Sequence, residues 1–191
     1  QGDAGGASEL LERSLPQVLE QDAWFDILWA GHAAAAGIAM LGGDDAAAQA
    51  VLDRGLALAE RRRLQRLSAR LQVHRIELLL PRGDVTHATA IADALDLPAL
   101  HARFEAVDRR VADAAWLAHW RVHLARGQGP RDQADAATTL AARIETWAAE
   151  GSALQAIEGL LLLAQVERQR GEPGAGARAL DRALSLAVPA Q

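Results

Sequence analysis

The chain has 191 residues and a formal net charge of −5, and all 20 of its basic residues are arginine. Cysteine and lysine are absent, which excludes disulfides, thiolate metal sites and the lysine of a phosphate-binding P-loop. The acidic balance argues against a nucleic-acid surface spread over these residues, because backbone phosphates need a basic footprint. Tyrosine and asparagine are missing as well. Losing the residue types with AT-rich codons points to a GC-rich bacterial genome, a genetic cause and not a physical one. Alanine and leucine dominate while β-branched and aromatic residues are scarce, so the chain should be helical throughout.

In chain order, Ala7 to Gln21 reads as a helix bent or shortened by Pro16. It is the second helix of a pair whose first helix would precede it. The expectation is therefore a segment of a longer protein. Trp24, Phe25 and Trp29 should pack under that helix. The first full pair is Ala23 to Leu41 and Asp45 to Arg62; the next is Leu64 to Leu80 and Val85 to Leu97, where Pro98 stops the helix. A looser stretch, "ALHARFEAVD", leads into Arg109 to Arg126 and Arg131 to Glu150. The last pair is Ser152 to Arg170 and Gly174 to Val188. The longest uncharged run, Ile27 to Gly43, is 17 residues and richest in alanine and glycine, short of the roughly 20 apolar residues of a membrane span. With no signal-peptide pattern either, the expected location is cytoplasmic.

The punctuation between these helices repeats. "GD" stands at Gly2-Asp3, "GGD" at Gly42 to Asp44, "RGD" at Arg82 to Asp84, "RGQGP" at Arg126 to Pro130 and "RGEP" at Arg170 to Pro173. Gly2, Gly43, Gly83, Gly127 and Gly171 are spaced by 41, 40, 44 and 44 residues. Such a period marks stacked repeats. Glycine ends a helix in the left-handed conformation, and the following Asp, or Glu-Pro, starts the next one. Arg82-Gly83-Asp84 is thus a helix joint and not an adhesion tripeptide. The second helices share steps of three and four residues: Ala48, Leu52, Gly55 and Leu56; Ala88, Ala92 and Leu95; Ala137, Ala141, Ile144 and Ala148; Ala177, Leu180, Leu184 and Ala187. Small residues on these stripes let neighbouring axes come close, and no pair could bury its apolar face alone.

Gly-Asp joints, a small residue five positions later and paired antiparallel helices resemble tetratricopeptide repeats, although these repeats exceed the 34 residues of that family. "AIEGLLLLAQVERQRGEPGAGARALDRALSLAVPAQ", Ala156 to Gln191, resembles more specifically the helical-repeat region of MalT-type, LuxR-family ATP-dependent transcriptional activators. So do "RLSARLQVHRIELLLPRGD", Arg66 to Asp84, and the Ala-rich helix before Gly151. Pro81 and the "RGQGP" joint depart from that pattern. The resemblance implies an all-α, right-handed superhelix of stacked antiparallel helix pairs, one tetratricopeptide-like solenoid domain over residues 1–191. It implies a non-enzymatic role in sensing a small-molecule effector or a protein partner and in self-association. ATP would bind a separate upstream domain and DNA a separate downstream one, with no cofactor in this segment. The alternative is a self-standing tetratricopeptide-type scaffold for protein interactions, unrelated to transcription.

In that fold the first helix of each pair lines a concave groove. The register, counted back from each joint, puts Arg70, Glu77, Arg121, Glu158, Gln165 and Arg168 on the groove. Val73, Leu117 and Leu161 would lie beside them, and Ala30, Ala33 and Gly37 would give a shallow wall in the first pair. Mixed charge next to apolar patches suits a peptide or a polar small molecule. Arg61, Arg62, Arg63, Arg66 and Arg70 form the densest basic cluster and read as solvated helix ends that complement the dipole. "WLAHWRVH" places Trp116, His119, Trp120 and His123 on one helical face. His119 and His123 lack a third ligand and a neighbouring glutamate, so the four read as packing positions and no metal or catalytic site is expected, with a stacking platform for a flat or sugar-like ligand as the alternative. A phosphate loop, a nucleophile elbow and a spaced carboxylate pair are all missing.

Overall fold

A computed structural model describes Gly6, Glu9, residues 25–127 and residues 129–188. The described residues are helical with no strand. Apart from Glu9, the expected helix at Ala7 to Gln21 lies outside the described residues, as do the joint at Gly2 and Trp24. The helices are α1 (Phe25–Leu41), α2 (Asp45–Arg61), α3 (Gln65–Leu79), α4 (Val85–Leu95), α5 (Leu97–Phe104), α6 (Arg109–Ala125), α7 (Pro130–Ala149), α8 (Ala153–Gln169) and α9 (Pro173–Ala187). Two compact units divide the chain, Gln1–Ala115 and Trp116–Gln191, with the boundary inside α6.

The joints are compact because one residue serves two helices. Gly43, Gly83, Gly127, Gly151 and Gly171 all have φ between +73° and +81°. At Gly43 the amide donates to Met40 O at 3.0 Å and the next amide, Asp44, donates to Ala39 O at 2.9 Å. This Schellman pattern satisfies the last carbonyls of α1. Asp44 then turns its carboxylate to the Ala47 amide at 2.9 Å and begins α2. The same double use recurs at Gly83-Asp84, where Asp84 accepts from His87 N. A hydrogen bond from the His87 side chain, above all, holds the Asp84 carboxyl below its usual range.

Joints without glycine also occur. Arg63 (φ +55°) closes α2 with amide bonds to the Glu60 carbonyl and, through Leu64, to Ala59. Asp96 (φ +48°) closes α4 and caps α5 by accepting from Ala99 N at 3.2 Å. Here a sequence expectation is corrected. Pro98 does not stop a helix; it lies in the first turn of α5, where its missing N–H has no intrahelical role. "ALHARFEAVD" is accordingly helical through Phe104, and Leu97, Leu100 and Phe104 are buried. Pro81 does not halt α3 abruptly either, since the chain tightens into a 3-10 turn over Leu80–Arg82 before Gly83.

In the first unit each helix packs on its predecessor from α2 to α5, and α1 also touches α3. Leu28, Leu52, Leu67 and Leu71 form the centre of its core. α2 comes close to both neighbours at Gly55: a Cβ there would stand 2.6 Å from His32 Cδ2 and 2.7 Å from Leu71 Cδ1. In the second unit α7 packs on α8 and α8 on α9. Its core gathers Leu117, Leu140, Ile144, Trp147 and Leu160. Gly159 plays the part of Gly55, because a Cβ on it would meet Ile144 Cγ1 at 2.8 Å and Trp147 Cζ3 at 2.9 Å. Small residues on the packed faces therefore set helix separation in both units.

The expected stripes on α2, α4 and α7 are buried or half-buried. The stripe on α9 is not. Leu180 is 43 % and Leu184 66 % exposed, and α9 buries Gly176, Ala179 and Ala183 instead. The reason is steric: a Cβ on Gly176 would lie 3.1 Å from the Ala164 carbonyl oxygen, so only a face of very small residues fits against α8.

Candidate functional site

The six predicted groove residues fall into two sets. In the first unit, Arg70 and Glu77 sit two turns apart on α3 and pair at 3.3 Å, both side chains 18 % exposed. His74, between them, donates from Nδ1 to Glu77 Oε2 at 3.0 Å. Across from α3, Trp29 of α1 receives the Arg70 guanidinium 4.0 Å from its ring centroid and meets His74 edge-on at 5.0 Å. A planar cation on an indole face is favourable by roughly 0.5–2 kcal/mol depending on desolvation. The result is a half-buried ladder in which each charge has a partner. His74 Nε2 is buried with no hydrogen-bond partner.

Trp29 is a member of this cluster that the groove register did not select; it was expected to pack beneath a preceding helix. The ladder continues toward the N-terminal ends of α1 and α3. Arg66 stacks on Phe25 at 4.4 Å and donates to the buried Asp108 carboxylate. Arg110 bridges to Asp26 at 2.7 Å. The spacing Arg66, Arg70, His74, four residues per step, was the available signal, since it lays all three on one helical face opposite Phe25 and Trp29.

In the second unit Arg121 and Glu158 come together at 2.9 Å, joining α6 to α8. Gln165 and Arg168 are exposed further along α8. Two expectations about the apolar groove positions are corrected. Val73 and Leu117 are core residues, at 0 % and 2 % exposed, and only Leu161 lies at the surface. Ala30 is exposed, and Ala33 and Gly37 are half-buried.

The "WLAHWRVH" face is half-buried. Trp116 meets Trp147 edge-on at 5.5 Å and Trp120 at 5.9 Å, and both Trp116 and Trp120 pack against the second core. His119 and His123 stack with centroids 6.1 Å apart. Burial chiefly, then the charges of His123 and Arg126, pushes the His119 pKa below its ordinary value. Among the described residues no group of three or more His, Cys, Asp or Glu could hold a metal ion.

No family model, curated protein or solved structure matches this chain. Among the described residues no helix is long and apolar enough to cross a membrane. The two sets share one chemistry: ion pairs beside half-buried indole rings, Trp29 in the first unit and Trp116 and Trp120 in the second, with exposed Leu161 on α8.

Proposed function

We propose that this chain is a non-enzymatic binding module, a right-handed, tetratricopeptide-like superhelix serving a MalT-like transcriptional regulator. Its first-helix face receives an effector molecule or a protein partner. The observation that carries this reading is the contact between α1 and α3, which sets Trp29 beside Arg70, His74 and Glu77. A ligand that touches Trp29 on one helix and the Arg70–Glu77 pair on the other prefers one tilt between two successive first helices. That preference shifts the population of curvatures, and with it the self-association of the parent protein. ATP and DNA would engage other domains of that parent.

Calorimetric titration with a panel of carbohydrates and polar metabolites tests the small-molecule form. A ligand that binds, and binds more weakly to Trp29→Ala and Arg70→Ala, supports it; silence across the panel refutes it. Sequencing the coding region on both sides separates the regulator from a self-standing interaction scaffold. A P-loop domain upstream and a helix-turn-helix downstream support the regulator, and their absence supports the scaffold.

A further inference from the structure

At the N-terminal ends of α1 and α3 the first unit has an open cleft of about 390 Å³. Its apolar floor includes Leu28, Leu67 and Phe104, all buried, and Phe25 and Val107 flank it. Two arginines, Arg63 and Arg66, also line it. They are held differently. Arg66 is fixed between the Phe25 ring and the Asp108 carboxylate, yet its Nε–H is buried with no acceptor. Arg63 occupies the left-handed turn between α2 and α3, is exposed, and has no ion pair among the described residues.

The start of α3 adds to this positive character. α2, α4 and α5 each begin on an aspartate that caps them. α3 begins on Leu64 with no side-chain cap and no carboxylate in its first turn, and Leu64, Gln65, Arg66 and Leu67 all line the cleft. The first turn of α3 therefore supplies no carboxylate of its own to complement the helix dipole where the cleft opens.

An apolar hollow with a cationic rim is complementary to a small amphiphile bearing one negative head. The volume is near the lower end of the roughly 300–1,000 Å³ usual for small-ligand clefts, too small for a folded partner. We infer that this cleft binds an apolar monocarboxylate, a medium-chain alkanoate or an arylalkanoate. The hydrocarbon body lies against Leu28, Leu67 and Phe104, and the carboxylate against Arg63 and Arg66. A neutral apolar molecule would leave the charge of the exposed Arg63 without a counterion. A bare phosphate would not use the floor, and Asp108 already offsets part of the local positive charge. The inference is independent of the regulator reading and stands on this cleft alone.

Octanoate, 4-phenylbutyrate and the neutral 4-phenylbutanamide are titrated into the whole chain by isothermal calorimetry at pH 7.5. The two acids should bind saturably with one-to-one stoichiometry, and the amide more weakly. Arg63→Ala, which removes an exposed side chain, should weaken the acids by about tenfold or more, as loss of a charge-assisted hydrogen bond implies. Val107→Glu, which puts a carboxylate beside the floor, should abolish binding. Leu184→Glu on α9 should leave binding unchanged, which separates the cleft from the exposed leucines of the second unit. Circular dichroism of each variant establishes that the fold is retained. Absence of saturable binding at millimolar acid overturns the inference. So does affinity that survives both Arg63→Ala and Val107→Glu, or that is lost in Leu184→Glu.

Discussion

Replacing Gly55 by alanine sets two effects of opposite sign against each other. In the middle of a helix, Gly→Ala normally stabilises by about 0.8–1.0 kcal/mol through propensity alone. At Gly55 the new methyl would stand 2.6 Å from His32 Cδ2 and 2.7 Å from Leu71 Cδ1, when carbon atoms pack at about 3.5–4.0 Å. Both neighbours are held in place. His32 is buried and its Nδ1–H is tied to the Leu28 carbonyl at 2.8 Å, and Leu71 is fully buried in the same core. Overpacking costs about 1–3 kcal/mol, and displacing the imidazole sacrifices a hydrogen bond of about 1 kcal/mol. The net expectation is destabilisation by about 1–3 kcal/mol, a fall in thermal midpoint of roughly 2–12 °C for a chain this size. Gly37 is the internal control. It lies on α1 with nothing within 4 Å of its would-be Cβ, so Gly37→Ala should raise stability by about 0.5–1 kcal/mol. Urea denaturation followed by far-UV circular dichroism measures both. If Gly55→Ala stabilises as Gly37→Ala does, α2 does not approach α1 and α3 as closely as described, and small residues do not set the helix spacing.

His32 supplies a second test. Burial above all pushes its pKa below 6.5, so at mildly acid pH the unfolded chain binds more protons than the folded one. Stability should therefore fall as pH drops below about 6.5, and His32→Leu should flatten that dependence in urea midpoints taken at pH 7.5 and 5.5. In the second unit, Trp147→Ala removes a fully buried side chain and should cost about 3–5 kcal/mol, whereas Leu184→Glu changes an exposed one and should stay within about 0.5 kcal/mol by urea denaturation. Arg63→Gly should raise the thermal midpoint, because the left-handed conformation costs a residue with a Cβ about 1–2 kcal/mol, more than the extra chain entropy glycine loses. An unchanged or lowered midpoint would mean that the α2–α3 turn is not strained.

The joints were legible in the sequence because their chemistry is narrow. A tight helix–helix turn needs a residue with positive φ and is favoured by a capping acid after it, and Gly43-Asp44 and Gly83-Asp84 show both visibly. Arg63 and Asp96 adopt the same conformation without glycine and leave no comparable trace. Pro98 was ambiguous for a related reason. Proline ends one helix and fits the first turn of another equally well, and the deciding residue was Asp96, two positions earlier, which caps α5. On α9 periodicity offered two adjacent stripes. Size favoured Leu180 and Leu184, but the close approach to α8 admits only Gly176, Ala179 and Ala183.

The candidate face could be reached only in part from register, because position on a helix does not say which partner a charge takes. Arg70 and Glu77 were both selected, yet what fixes them is Trp29 on another helix, and indole stacking leaves no mark in a count from Gly83. The consequence for binding is specific. Because Arg70 and Glu77 are each other's partners and half-buried, an ionic ligand there must replace an existing pair, so the gain in affinity is small. Exposed Gln165 and Arg168 pose no such competition, and neither does Arg63 at the cleft. The Trp29 face should therefore favour ligands that add stacking or apolar contact while leaving the Arg70–Glu77 pair intact. A salt titration distinguishes the cases: affinity at the Trp29 face should be nearly insensitive to ionic strength, and carboxylate affinity at the cleft should fall as salt screens the exposed Arg63.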